Sequence, residues 1–393
     1  MYFQQQTLLR IIEKAMTVKH EDIRRVLILQ EQKSFYIGDS CVWFSKLKHL
    51  RSFFNDAAMD LAFVNNQNHK YIDAFLKNHP AVDNIFMSSW DDVPFNDYDA
   101  VLLITFNEEL VLQLLDAHYG QAFAAGAFRP VIYSLSRSVM APVEHGRYIF
   151  PVHPRLQDYA YPLPGELYLS DEERAWADGW LREQGMLEHE QLFILLDSTS
   201  RGQKMLRLSV YFEFVAGLLK KKNARLLVFD EGGIGKPAFY TEWLGAENVK
   251  RIIFSQRLGL RQDLCLLGSG YTRMVFGPCT GLMHCASVIF NNYVANGLPP
   301  GEAPLLAVYT GEYIGSELNA WKWWGNAPLV DCLMMKQRPG DKELVLLADL
   351  GEDERYLNNS LPCSEYTALM LTAFVNARLQ DHTYKYGEQL LNS

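Results

Sequence analysis

Short apolar runs rich in β-branched residues alternate with helical segments, and this alternation restricts the fold more than any other feature. Predicted buried strands lie at residues 26–29, 60–64, 100–105, 131–133, 192–196, 225–229, 251–254, 273–276 and 305–309, with a weaker one at 344–347. Predicted helices lie at residues 46–54, 71–77, 108–118, 171–184, 209–221 and 365–379. Strands separated by helices are typical of a parallel sheet covered on both faces. The sequence therefore predicts the α/β class.

Prolines interrupt the alternation near the middle of the chain. They are Pro142, Pro151, Pro154, Pro162 and Pro164, and such a cluster is typical of an extended linker. A length of 393 residues also favours two domains. We predict two Rossmann-like domains facing a cleft, at residues 1–164 and 165–364, and a helical tail at 365–393 that crosses back to the first domain. Ligands of such sheets bind beyond the carboxyl ends of the strands.

Composition excludes several classes of protein. Hydrophobic residues make up 49% of the chain and charged residues 21%, which is typical of a globular protein. The net charge of −9 disfavours a nucleic-acid partner. The sequence contains no long apolar run and does not begin like a signal peptide, so we expect a cytoplasmic protein. Six scattered cysteines without a C-x-x-C pair disfavour a structural metal site or a disulfide framework.

The segment at residues 275–287 is the strongest candidate for a binding site. It predicts a buried strand, a tight turn and a helix that begins at Thr280, Gly281 and Leu282. The free N–H groups and the dipole of a helix N-terminus favour phosphate, Thr280 is a suitable cap, and His284 returns to the same face. The alternative is an ordinary strand–turn–helix connection.

Two further loops follow predicted strands in the same half of the chain. The first offers hydroxyls and cations for a diphosphate, at Ser198, Thr199, Ser200, Arg201 and Lys204. The second contains Glu231, which could accept a hydrogen bond from a ribose hydroxyl. Neither matches a P-loop or a dinucleotide glycine fingerprint, so solvated surface loops remain the alternative.

Asp39 is the candidate general base, in a predicted loop after the first strand. A carboxylate there could take a proton from a sugar hydroxyl, or it could cap the next helix. Three tryptophans, Trp321, Trp323 and Trp324, could stack on a sugar or base, or could pack their loop against the domain.

Together these segments resemble glycosyltransferase family nine, the ADP-heptose:lipopolysaccharide heptosyltransferases, from about Arg24 to the tail. The resemblance implies a GT-B fold with the acceptor site in the first domain, the nucleotide-sugar site in the second, and no metal. It implies that Asp39, after Gly38, is the general base. It also implies that the loop from Ser198 to Lys204 holds the donor phosphates.

The family motif Asp-Thr-Gly-x-x-His-x-Ala is matched from Thr280 to Ala286, with His284 in the place of the motif's histidine. Cys279 stands where the family has the aspartate that contacts the donor sugar. A thiol cannot make the charge-assisted bonds of a carboxylate. The identity of the sugar is therefore less firmly implied than the nucleotide-binding function.

The sequence thus predicts an inverting glycosyltransferase without metal or other cofactor. Its donor would be a nucleoside diphosphate sugar, with ADP favoured, and its acceptor a glycan or lipopolysaccharide core at the inner membrane face. The helix predicted at residues 7–19 could lie on an anionic bilayer or pack on its own domain. The alternatives are a nucleotide-sugar-binding protein that lost activity, a nucleotide-sugar epimerase and, more remotely, a dinucleotide oxidoreductase.

Overall fold

The computed structural model describes residues 2–31, 36–64, 69–136, 148–157, 164–199, 202–230, 232–311, 320–324, 327–355 and 360–391. The chain divides into two compact units, Met1–Gly165 and Glu166–Ser393. Each unit contains its own sheet and its own hydrophobic core.

The first unit contains a five-stranded parallel sheet with strand order β3-β2-β1-β4-β5. Its strands are β1 (Arg25–Glu31), β2 (Ala58–Val64), β3 (Asn84–Ser88), β4 (Ala100–Ile104) and β5 (Val131–Ser134). Its helices are α1 (Tyr2–Thr17), α2 (Ile37–Phe44), α3 (Leu47–Phe53), α4 (His69–Leu76), α5 (Glu108–Ala124) and α6 (Pro154–Gln157). Short 3₁₀ turns lie at His20–Asp22, Trp90–Asp92 and Phe95–Asp97.

Helix α1 packs on its own unit. Ile11 is buried in the same core as strands β1 and β4. Arg10 donates to the carbonyl oxygen of Phe123 at 2.7 Å, and Lys14 donates to that of Phe128 at 3.1 Å. Two of the basic groups that would face an anionic bilayer therefore bond to backbone carbonyls near the end of α5. Membrane contact by this helix stays a prediction.

The second unit contains a seven-stranded sheet with strand order β12-β11-β10-β9-β6-β7-β8, parallel except for β12. Its strands are β6 (Gln191–Leu195), β7 (Ala224–Asp230), β8 (Ile252–Gln256), β9 (Thr272–Pro278), β10 (Leu305–Tyr309), β11 (Val330–Arg338) and β12 (Asp341–Leu346). Because the central strands are buried on both faces, they consist of continuous apolar runs rather than an alternating pattern.

Helices and short 3₁₀ turns flank this sheet. The helices are α7 (Asp171–Glu183), α8 (Leu208–Leu219), α9 (Lys236–Leu244), α10 (Ala246–Val249), α11 (Leu260–Leu267), α12 (Gly281–Ala295), α13 (Ala320–Trp324), α14 (Glu352–Arg355) and α15 (Ala368–Leu391). The 3₁₀ turns are Gly202–Lys204, Pro300–Glu302, Leu347–Asp349 and Cys363–Glu365. Helix α7 begins at a capping box formed by Ser170 and Glu173.

The C-terminal helix α15 contributes to the core of the second unit. Leu371, Val375 and Leu379 lie in one cluster with Phe214 of α8 and Phe276 of β9. The ring centroids of these two phenylalanines are 4.6 Å apart. Whether the helix also crosses to the first unit stays a prediction.

The predicted α/β class is confirmed, and the differences lie in single elements. Strands β3 and β11 were not predicted, and residues 37–39, predicted as part of a loop, form the first turn of helix α2. The helix forms because Cys41, Trp43 and Phe44 are buried, and Trp43 Nε1 also donates to Gln30 Oε1 at 2.9 Å. No helix in the described part of the chain combines the length and apolar character needed to cross a bilayer.

Candidate functional site

Strand β6 marks the point where the strand order of the second sheet reverses. The chain runs outward from β6 to β7 and β8 on one side, and returns to β9 and β10 on the other. In such sheets a ligand binds outside the carboxyl ends of the two strands at the reversal. Here those ends lead into residues 196–204 after β6 and into Cys279 and Thr280 after β9. Two of the predicted binding segments therefore follow adjacent strands.

Gly277 allows these two strand ends to approach each other closely. The N–H of Leu196 donates to the carbonyl oxygen of Phe276 at 2.8 Å. A Cβ atom at Gly277 would lie 2.5 Å from Leu196 Cβ and 2.6 Å from Leu196 O. The pairing of β6 with β9 at the edge of the site consequently requires glycine at this position.

Helix α12 begins directly after β9. Thr280 is its N-cap residue with extended backbone (φ −139°, ψ 164°), but its hydroxyl makes no capping hydrogen bond. Thr280 thus occupies the predicted cap position, and its carbonyl oxygen accepts the N–H groups of Met283 and His284, at 3.1 and 3.3 Å. Helix geometry leaves the N–H groups of Gly281 and Leu282 without acceptors within the helix, which suits an anion.

Lys204 brings the two predicted binding segments together. It lies in the 3₁₀ turn Gly202–Lys204, and its Nζ donates to the carbonyl oxygen of Cys279 at 3.0 Å. The ammonium group is thus placed one residue before the cap of α12. A helix N-terminus and a lysine meeting at one point form a seat for a phosphate group.

The structure describes only part of the predicted donor set. Ser198 and Thr199 lie in the loop between β6 and Lys204. Ser200, Arg201 and Glu231 lie outside the described residues. The bridge from Lys204 to Cys279 is therefore the contact that carries the interpretation of this site.

His284 is almost fully buried against two of the predicted loop tryptophans. Its ring is stacked on that of Trp324, with centroids 4.1 Å apart and planes at 4°, and the centroid of Trp323 is 5.8 Å away. Burial, and then the nearby charge of Lys204, lower the pKa of His284 to about 3. The imidazole is therefore neutral at pH 7 and would meet a phosphate as a hydrogen-bonding group rather than a cation.

The pKa of His284 leads to a prediction about stability. Because the ordinary pKa is 6.5 and the folded pKa is about 3, unfolding takes up a proton throughout this pH window. We expect the free energy of unfolding to fall as the pH drops from 6.5 toward 3, by up to about 1.4 kcal/mol per pH unit from this residue. Urea unfolding of wild type and His284→Gln, compared across that range, measures the effect. Parallel curves for the two proteins would contradict it.

A polar network that was not predicted from the sequence lies beside the end of β6. Asp197 Oδ1 accepts from Lys236 Nζ at 2.6 Å, and Asp197 Oδ2 accepts from the hydroxyl of Tyr240 at 2.7 Å. The hydroxyls of Tyr240 and Tyr211 are 2.6 Å apart. A lysine directly after the glycine-rich segment 232–235 was the sequence signal for a partner of Asp197.

Asp39 lies in the first turn of α2 and its side chain is exposed. The helix is preceded by Tyr36 as N-cap residue, so the alternative interpretation of Asp39 as the cap is wrong. A carboxylate in a first turn is stabilised by the helix dipole. Because α2 follows β1, Asp39 comes shortly after the carboxyl end of a central strand of the first sheet.

Comparison with solved structures yields matches over nearly the whole chain. ADP-heptose LPS heptosyltransferase II of E. coli matches with a TM-score of 0.60 and 13% identity, over 92% of this chain and 100% of that chain. A family 9 glycosyltransferase of Veillonella parvula DSM 2008 matches with a TM-score of 0.58 and 12% identity, over 91% and 97%. The chain has the heptosyltransferase fold.

This fold confirms the predicted resemblance to glycosyltransferase family nine at the level of architecture, and both of these solved structures are glycosyltransferases by name. No family model matches the sequence, and no curated protein matches it by sequence. At 12–13% identity the roles of individual residues do not follow from the fold. They depend on the contacts described above.

Within this heptosyltransferase fold, Cys279 is buried. Only 4% of its surface is exposed, and two further buried cysteines, Cys332 and Cys363, lie within electrostatic reach of it. Burial raises the pKa of Cys363 to about 12, so this thiol is neutral at pH 7. Among the described residues, no group of three or more His, Cys, Asp or Glu side chains is arranged to hold a metal ion.

Proposed function

We propose that this chain is an inverting, metal-independent glycosyltransferase that moves a sugar from a nucleoside diphosphate sugar to a hydroxyl acceptor. The observation that carries the proposal is the hydrogen bond from Lys204 to the Cys279 carbonyl oxygen, at the start of α12. It joins a cation to a helix N-terminus at the strand-order reversal of the sheet. That combination is suited to the diphosphate of a nucleotide sugar.

In this proposal the second unit stabilises the departing diphosphate. The N–H groups of Gly281 and Leu282 and the ammonium of Lys204 face the negative charge that grows as the glycosidic bond breaks. Hydroxyls and the remaining side chains of the donor set complete the contacts, at Ser198, Thr199, Ser200, Arg201, Thr280 and the neutral His284. Glu231 binds the ribose, and Cys279 takes the position of the family's sugar-contacting aspartate.

Asp39 of the first unit is the general base in this proposal. Its carboxylate removes the proton of the acceptor hydroxyl while the new glycosidic bond forms. An exposed carboxylate is accessible to a large acceptor. Attack on one side of the sugar carbon and departure on the other gives inversion of configuration.

We propose ADP-heptose or a related ADP-linked sugar as the donor, because the E. coli protein of the same fold is named for ADP-heptose. The same name mentions LPS, which supports a glycan or lipopolysaccharide-core acceptor at the inner face of the cytoplasmic membrane. Cys279 stands where the family motif has an aspartate. This difference supports an alternative donor that carries a sugar other than the family's usual heptose.

Thermal unfolding in the presence of ADP-, GDP-, UDP-, CMP- and dTDP-linked sugars tests the proposal. We expect one nucleotide class to raise the midpoint by about 5–10 °C at a ligand concentration 100 times Kd. Lys204→Ala should abolish this shift. Lys250→Ala is the matched control. Lys250 is exposed and precedes the amino end of β8, whereas the candidate site lies at the carboxyl ends of the strands. No shift with any nucleotide sugar, or a full shift in Lys204→Ala, would contradict the proposed donor site.

A second candidate is a nucleotide-sugar-binding protein without transferase activity, and Cys279 is the observation that favours it. The two functions differ in turnover rather than in binding. Release of free nucleoside diphosphate that depends on an added glycan acceptor would support the transferase. Tight binding without such release would support the binding protein, and release of an epimerised nucleotide sugar without acceptor would indicate an epimerase.

A further inference from the structure

The carboxylate of Asp197 and the ammonium of Lys236 form a buried ion pair at the edge of the candidate donor site. Their charged atoms are 2.6 Å apart, and each side chain is only 12% exposed. Lys236 Nζ also donates to the carbonyl oxygen of Phe229, near the end of β7. The ion pair therefore connects the loop after β6 to the end of β7 and the start of α9.

Two side chains of α9 converge on this carboxylate. Lys236 and Tyr240 are four residues apart, so they lie on the same face of the helix, and each bonds to one oxygen of Asp197. A buried carboxylate with both oxygens bonded has a fixed orientation. The pair thus fixes the beginning of the 197–204 loop, while the bond from Lys204 to Cys279 fixes its end.

The register of the sheet places the backbone of Asp197 close to the phosphate seat. Leu195 pairs with Phe276 in the parallel ladder between β6 and β9. Two residues further along, Asp197 comes level with Pro278, which immediately precedes the segment that begins α12. Adjacent strands are about 4.8 Å apart, so the backbone of Asp197 lies about 5 Å from that of Pro278.

An uncompensated carboxylate near the seat would repel a diphosphate. For two unit charges about 8 Å apart, at an effective dielectric constant of about 20, Coulomb's law gives on the order of 2 kcal/mol, or about 30-fold in affinity. The ammonium of Lys236 cancels this charge while the pair fixes Asp197 after the end of β6. Lys236 thus has an electrostatic role at the seat in addition to its structural one.

We propose that Lys236 is a positioning residue for the donor site, acting through Asp197. It fixes Asp197 after the end of β6 and neutralises its carboxylate, so that the seat at α12 accepts a diphosphate. This inference rests on the proposed function, because it assigns the anion at the seat to the diphosphate of the donor. It adds a residue outside the family motifs to the machinery of the site.

Titration calorimetry with ADP and with inorganic pyrophosphate tests the inference on four variants. We expect Lys236→Met to weaken both ligands about 30-fold. Lys236→Arg should stay within about threefold of wild type because it keeps the cation. The double variant Asp197→Asn/Lys236→Met should recover most of the loss, because it removes the uncompensated carboxylate. Lys250→Met removes an exposed lysine at the amino ends of the strands, away from the candidate site, and should bind like wild type.

The outcomes separate this inference from the proposed function. If wild-type protein binds ADP or pyrophosphate and Lys236→Met binds it equally well, this result overturns the inference and leaves the proposed function intact. A double variant no better than Lys236→Met would overturn the electrostatic role of Lys236, because loss of positioning alone would then explain the weaker binding. A folded wild type that binds neither ligand would refute both proposals.

Hydrogen exchange covers the case in which Lys236→Met folds poorly. In both Asp197→Asn and Lys236→Arg, the peptide at residues 197–204 should exchange faster than in wild type. The increase should be smaller in Lys236→Arg. The peptide of β9 should keep its protection. Loss of protection throughout the second unit in both variants would show that the pair stabilises the whole unit, and would overturn the positioning role.

Discussion

Replacement of Asp39 by asparagine is expected to lower the rate of sugar transfer by about 10³-fold, within the range that general base catalysis contributes. The amide keeps the shape of the side chain but cannot accept the proton of the acceptor hydroxyl. Donor binding should not change, because the proposed donor contacts all belong to the second unit. Because Asp39 is exposed, the substitution should alter the stability of the first unit by less than about 0.5 kcal/mol.

Transfer rates and ADP affinities of three proteins measure this effect. They are wild type, Asp39→Asn and the control Asp56→Asn, which changes another exposed carboxylate of the same unit. We expect a selective loss of kcat in Asp39→Asn alone. Normal turnover in that variant would show that another group is the base.

The substitution Gly277→Ala should destabilise the second unit by about 3 kcal/mol or more. Its methyl group would lie 2.5 Å from Leu196 Cβ and 2.6 Å from a backbone oxygen, and backbone cannot move aside as a flexible side chain does. Relief of the clash would separate β6 from β9, the two strands that support Asp197 and Cys279. We therefore expect a loss of donor binding together with the loss of stability.

Urea unfolding followed by tryptophan fluorescence measures the stability change. Gly351→Ala is the matched control, because a Cβ atom there meets nothing within 4 Å. A Gly277→Ala protein as stable as the control would contradict the close approach of the two strand ends.

The sequence was sufficient for most buried strands and for the strand–turn–helix segment at residues 275–287, since both depend on local patterns. Strand β9 is a continuous apolar run, and the turn into α12 contains the Thr-Gly pair. Strand β3 was missed because it is short and only partly buried at the edge of its sheet. Strand β11 was missed because it ends in three polar residues.

Contacts between distant segments could not be predicted from the sequence. The pairing of Asp197 with Lys236 depends on how the ends of β6 and β7 are aligned, and the stacking of His284 on Trp324 depends on the folding of a separate loop. The first turn of helix α2 was predicted as part of a loop because Gly38 and Asp39 are typical of turns. The burial of Cys41, Trp43 and Phe44 outweighed that preference.

The order of strands in the second sheet has a consequence for synthesis of the chain. Strand β6 ends at Leu195, but its neighbour β9 begins only at Thr272. At about 5–20 residues per second, a ribosome takes roughly 4 to 15 s to make the intervening chain. During that interval one edge of β6 is open to pairing with other chains, as unpaired strand edges are. Nascent chains arrested before Thr272 should therefore aggregate more readily than chains arrested after α12.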